Sequence, residues 1–205
     1  SCKFNIGGDI MSEIQANKLS PASGTGVQLG DSGDTITIPS GATITNNGTQ
    51  TGFGGANTPS FHAYRNSAQT LSNNTYQRVQ FDTEVWDTAN GYDNTTNYRY
   101  TPNEAGKYVF YAKISIYTGT NDNVKFQTIL FQKNGSDASV HSLDSRNGYY
   151  MGYGNGMYFQ QVLDMNGTSD YVDTFFYLQA NNTSDLRVNG GHQTTYFGAY
   201  KLIGV

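Results

Sequence analysis

Apolar and polar residues alternate along most of this chain with a period of two, the spacing of a strand with one buried face. The longest run covers residues 108–117, and others cover 124–133, 157–165, 172–180 and 195–203. Shorter runs lie at 61–64 and 76–81, the latter with Val79 and Phe81 on one face. Clusters of Gly, Asn, Asp, Ser and Pro separate them, residues that supply positive φ, fixed φ or side-chain caps to turns. Asn134-Gly135 directly after residue 133 predicts a tight hairpin turn. No amphipathic helix of more than two turns is discernible. The expected fold is all-β, a sandwich or jelly roll over residues 57–205.

Residues 26–55 carry a finer rhythm. Val27-Gln28-Leu29, Thr35-Ile36-Thr37-Ile38 and Ala42-Thr43-Ile44-Thr45 are three- or four-residue alternations, separated by turns at 30–34, 39–41 and 46–48. Strands this short form no core alone. Three chains wound about one axis would bury Val27, Leu29, Ile36, Ile38 and Ile44 against each other, as in a trimeric β-shaft. Gly52-Phe53-Gly54-Gly55 reads as a hinge, after which aromatic residues become denser. The expected organisation is an attachment segment at 1–25, a short β-shaft and hinge at 26–56, and a head at 57–205.

Composition narrows the function. Only 14% of residues are charged and 14% are aromatic, so a packed core is affordable and a self-repelling disordered chain is not expected. The net charge is -4 with no Lys/Arg block, which argues against nucleic acid. No apolar run approaches a membrane span. Cys2 is the sole cysteine, so no intrachain disulfide forms, in keeping with assembly in a reducing cytoplasm.

Within the head, Phe81, Asp87, Tyr92, Tyr100, Gly106, Tyr108 and Phe110 are spaced in a way that resembles the signature of the complement-1q globular head, a relative of the tumour-necrosis-factor jelly roll. Two departures stand out. The spacer from Tyr92 to Tyr100 is one residue longer, implying a loop insertion, and Ala112 stands where the family usually has an aromatic. The segments 59–64 and 195–203 are similar to the family's first and last strands, so the resemblance spans residues 58–205. It implies a jelly-roll homotrimer in which some strand-borne aromatics pack at the three-fold axis. Tyr108, Phe110, Tyr196 and Tyr200 are the candidates for that trimer core, and the sequence leaves open which of them face the axis.

Residues 13–21 and 29–42 resemble the starts of tail-fibre or appendage proteins of marine tailed bacteriophages. That resemblance implies a structural virion fibre, assembled in the host cytoplasm and held to other virion proteins through its N-terminus. Its head would recognise or adhere to a host cell-surface glycan or protein. The alternative is a purely structural capsid-decorating or collar fibre, whose head only trimerises and caps the shaft.

Enzyme chemistry is not expected. His62, His141 and His192 are far apart and lack metal-ligand spacing. There is no phosphate loop and no Gly-x-Ser-x-Gly elbow. Asp82, Glu84 and Asp87 could form a carboxylate pair, but Asp87 already belongs to the fold signature. Asn121, Asp122, Asn123, Asp164, Asp170 and Asp173 could offer oxygens to Ca²⁺, although turn formation accounts for them and no cofactor or obligatory metal is expected. For receptor binding, the Tyr/Gly/Asn-rich stretch 146–158 provides Tyr149, Tyr150, Tyr153 and Tyr158, since such loops give contact area at low entropy cost. The stretch 181–193 adds Arg187 and His192.

Overall fold

The computed structural model describes residues 18–48, 57–119, 124–146 and 156–203. The chain divides into two units, Ser1–Thr51 and Gly52–Val205.

In the first unit the turns form where the sequence puts them. The Asp34 amide donates to the Asp31 carbonyl, the Asp31 amide donates to the Asp34 carboxylate, and the Ala42 amide donates to the Pro39 carbonyl. The three short strands expected between these turns are not formed in the single chain. A strand is stabilised by a hydrogen-bonded neighbour, and segments of three or four residues bridged by open turns find none within this unit. Leu19, Val27, Leu29, Ile36, Ile38 and Ile44 are all exposed.

The second unit is built of strands and turns, with no helix among the described residues. In chain order the strands are β1 (Ser60–Tyr64), β2 (Gln69–Thr70), β3 (Thr75–Arg78), β4 (Thr83–Asp87), β5 (Tyr92–Asp93), β6 (Arg99–Tyr100), β7 (Ala105–Tyr117), β8 (Val124–Lys133), β9 (Ser136–Asp144), β10 (Gly156–Asn166), β11 (Val172–Ala180), β12 (Arg187–Val188) and β13 (Tyr196–Lys201). They form two antiparallel sheets. The first runs β2-β12-β7-β13-β1-β4, with β10 also paired to β7; the second runs β5-β6-β11-β8-β9, with β3 also paired to β11.

Alternation along each strand sends one set of side chains between the sheets. Phe61, Phe81, Tyr100, Tyr108, Phe110, Phe131, Phe176 and Phe197 are all fully buried there. Each such side chain contributes about 1.5–3 kcal/mol by leaving water. The signature residues are the heart of this core. Phe61 stacks on Tyr92 and Tyr100 with centroids 4.7 and 4.3 Å apart, and Tyr100 meets Tyr108 and Phe110 edge-on. The Tyr92 hydroxyl donates to the Phe81 carbonyl (2.9 Å), which satisfies a buried polar group. Asp87 accepts the amides of Ala89 and Tyr92, so its role is to cap the turn between β4 and β5.

Both departures from the signature have visible consequences. Asp93 gathers the amides of Thr95, Thr96 and Asn97, which organises the longer spacer. Ala112 is flanked in register by Phe159 and Phe197, whose rings both stack on Phe131. Gly106 lies inside β7 rather than in the turn before it. Its φ is +151°, and a Cβ there would come within 2.8 Å of the Lys201 side chain.

Candidate functional site

The residues of the first sheet that point away from the core form a continuous apolar and aromatic face. Val109 and Tyr111 come from β7, Tyr196 and Tyr200 from β13, His62 from β1, Trp86 from β4, and Tyr158, Gln160 and Val162 from β10. Register places Tyr196 and Tyr158 both beside Lys113, and Tyr200 and Val162 both beside Val109. A cleft of about 390 Å³ opens here, lined by His62, Val109, Tyr111, Tyr158, Gln160, Tyr196 and Tyr200. Trp86, Tyr158 and Val162 remain 46%, 51% and 44% exposed, an unusual amount of large apolar surface for one sheet face.

Tyr111 organises the cleft. Its register partner on β13 is Gly198, and a Cβ at that position would stand 2.4 Å from the Tyr111 ring and hydroxyl. The glycine thus provides the space in which the tyrosine lies across the neighbouring strand. Tyr196 and Tyr200 flank it at 6.3 and 6.4 Å. The Tyr111 hydroxyl is 3.1 Å from His62 Nδ1, and His62 stacks on Trp86 at 4.9 Å with 18° between planes. Burial, helped by the hydroxyls of Tyr158, Tyr196 and Tyr200, pushes the Tyr111 phenol up to about 12. Burial, helped by His192, holds His62 below its usual value. The His62–Tyr111 pair is therefore uncharged at neutral pH. Charge on the face comes from Lys113, whose ammonium donates to the Gln193 carbonyl, and from pairs such as Lys107–Asp164 and Lys201–Glu104.

No family model matches the sequence, and no curated protein matches it. Solved structures do match. The Eiger TNF of S. frugiperda superposes with a TM-score of 0.51 at 12% identity, over 71% of this chain and 93% of that one. Murine APRIL gives a TM-score of 0.48 at 14% identity, over 70% of this chain and 98% of that one. The head has the tumour-necrosis-factor-like jelly-roll fold. At these identities the likeness concerns the fold alone.

On that jelly roll the four trimer-core candidates separate by parity. Tyr108 and Phe110 lie wholly inside the sandwich, because even-numbered residues of β7 point inward. Tyr196 and Tyr200 lie on the outer face with Tyr111. Tyr158 joins them, as part of β10 rather than of a loop. Tyr149, Tyr150 and Tyr153 fall outside the described residues. Arg187 lies over the Tyr117 ring at 4.1 Å and pairs with Asp185, whereas His192 meets Tyr64 edge-on at 6.0 Å.

Apart from Glu84, the described carboxylates considered for catalysis or Ca²⁺ have structural partners. Asp82 pairs with Arg65 at 2.6 Å, and Asp87 caps its turn. Asp164 pairs with Lys107, Asp170 with Lys133 and Asn134, and Asp173 with Arg78. Asn121, Asp122 and Asn123 fall outside the described residues. Among the described residues no three His, Cys, Asp or Glu side chains gather as metal ligands, and no helix is long and apolar enough to cross a membrane.

Sequence reasoning missed a second aromatic row, on the outer face of the other sheet. Tyr76 of β3 and Tyr177 of β11 are register partners with rings 4.8 Å apart, and Phe126 of β8 meets Tyr177 edge-on at 5.9 Å. Arg146 lies over Phe126 and is anchored by Asp144, while the Tyr177 hydroxyl reaches Asn74 at the other end. The available signal was the outward parity of Tyr177 within the run 172–180.

Proposed function

We propose that this chain is a structural virion fibre protein whose jelly-roll head self-associates into a trimer through the outer face of the first sheet. The head then mediates recognition of, or adhesion to, a host cell surface. The observation that carries the reading is the half-exposed Trp86–Tyr158–Val162 surface around the tyrosine-lined cleft. Surface of this kind is stabilised by burial against a partner. A second copy of the chain fits because a three-fold ring needs two different patches on each protomer. β10 borders both, with Tyr158 and Val162 on the outer face and Phe159 and Leu163 only partly buried on the other side. The exposed apolar residues among those described in the first unit support a shaft in the same way, since three chains would cover what one chain leaves in water. Residues 1–25 are assigned to attachment on other virion proteins.

The second sheet remains outside the self-association face in this arrangement. Its Tyr76–Tyr177–Phe126 row, bordered by Asn74 and the Arg146–Asp144 pair, offers ring faces and hydrogen-bonding groups of the kind that receive sugar rings of a bacterial surface. The test is adsorption of the full chain to candidate host cells, compared with Tyr76→Ala and Tyr177→Ala. Adsorption by the wild type and its loss in both variants is the expected result. A trimer that adsorbs to no host cell on which the virus grows would assign the protein to the capsid-decorating or collar role instead.

A further inference from the structure

We propose that His62 makes the self-association of the head sensitive to pH, with protonation driving the trimer apart; the inference rests on the trimer reading above. His62 sits where side chains of four strands converge. Trp86 of β4 stacks on it at 4.9 Å, Tyr111 of β7 lies at 5.9 Å and shares a hydrogen bond with Nδ1, and Tyr196 of β13 lies at 5.3 Å. Its ring also borders the cleft that the trimer would close.

Among the described residues the surroundings supply no counter-ion. On β4 the carboxylates near Trp86 are Glu84 and Asp87, and Asp87 is engaged by the amides of Ala89 and Tyr92. β7 brings Tyr111, Lys113, whose ammonium donates to the Gln193 carbonyl, and Lys107, which pairs with Asp164. β13 brings Tyr196, Tyr200 and Lys201, the last paired with Glu104. β10 brings Tyr158, β1 itself carries Tyr64, and the segment before β13 brings His192, whose charge opposes that of His62. Among the described residues neither Glu84 nor Asp87 bonds to the imidazole, and its hydrogen-bond partner is a phenol that stays neutral.

A protonated His62, half-buried in the single chain, would thus become a buried cation without an anion once the face closes, and its attraction to the Trp86 ring is smaller than the cost of removing its water. Burial already disfavours the charged form in the single chain. Closing the face removes the remaining water and disfavours it further. The sign follows from linkage. A histidine whose proton is less welcome in the assembled state leaves assembly intact above its single-chain value, which burial already holds below the ordinary 6.5, and weakens it as pH falls through that value. A tenfold preference at each of three sites weakens the trimer about a thousandfold, which raises the midpoint concentration of dissociation roughly thirtyfold.

The experiment is light scattering of the full chain over a concentration series at pH 8 and pH 5, with circular dichroism confirming that the fold persists. It is run on the wild type and on His62→Gln. The expected result is a wild-type midpoint that rises roughly thirtyfold at pH 5 and a His62→Gln midpoint that does not move. A wild-type trimer equally stable at both pH values overturns the switch and leaves the trimer standing. A variant that dissociates like the wild type overturns it as well, by assigning the effect to another group. A monomer at every pH overturns the trimer reading and the switch together. Should His62→Gln fail to assemble, proton uptake by the wild type decides: net uptake on dissociation at pH 5 supports the switch, and none overturns it.

Discussion

Tyr158→Ala tests whether the outer face of the first sheet is a self-association surface. A tyrosine buries about 200 Å² when fully covered, and Tyr158 is 51% exposed in the single chain. Its uncovered part, about 100 Å², is worth roughly 2.5 kcal/mol per chain at 25 cal/mol per Å². Loss from three chains amounts to about 7 kcal/mol, or about 10⁵ in the trimer association constant. The monomer loses far less. Tyr158 lies on an exposed strand position, and its hydroxyl bonds only to Gln160 two residues away. The assay is sedimentation equilibrium of wild type and variant across micromolar concentrations, beside thermal unfolding of each. The account predicts a dissociated variant with an intact β-sheet spectrum. A variant that remains as associated as the wild type would refute the assignment of this face.

Other positions give further tests. Gly198→Ala puts a Cβ 2.4 Å from the Tyr111 ring and 2.8 Å from the Phe61 carbonyl oxygen. Overpacking of this kind costs about 1–3 kcal/mol, which lowers the unfolding midpoint by about 2–4 °C per kcal/mol. An unchanged midpoint would mean that Tyr111 leaves its seat without cost. Deletion of residues 1–25 is expected to spare the trimer, read by light scattering, and to abolish incorporation into particles, read by their protein content. Normal incorporation would remove the attachment role from that segment.

The fold was legible because two independent signals agree. The period-two runs locate the long strands, and the aromatic signature from Phe81 to Phe110 folds into one stacked cluster around Phe61. The hairpin at Asn134-Gly135 is present, with both residues at positive φ (55° and 79°). The strand it leads into, β9, was missed, because Ser136–Asp144 carries only Ala138, Val140 and Leu143 as apolar residues and is largely exposed. The site was harder to read. Both faces of β7 carry large apolar residues, Tyr108 and Phe110 on one and Val109 and Tyr111 on the other. Alternation reports that the faces differ but not which one is buried, and a shift of one residue exchanges them. The phase is set by neighbours distant in sequence. Gly198 accepts Tyr111 on one side of β13 while Phe197 and Ala199 fill the core on the other. Trp86 likewise gained meaning only through its register with His62 across β1 and β4.

The most direct test of the proposed assembly is the native mass of the full chain by light scattering at pH 8. The account predicts a trimer of about 67 kDa, three times the 22.4 kDa chain. A stable monomer of 22.4 kDa across the concentration range would contradict it.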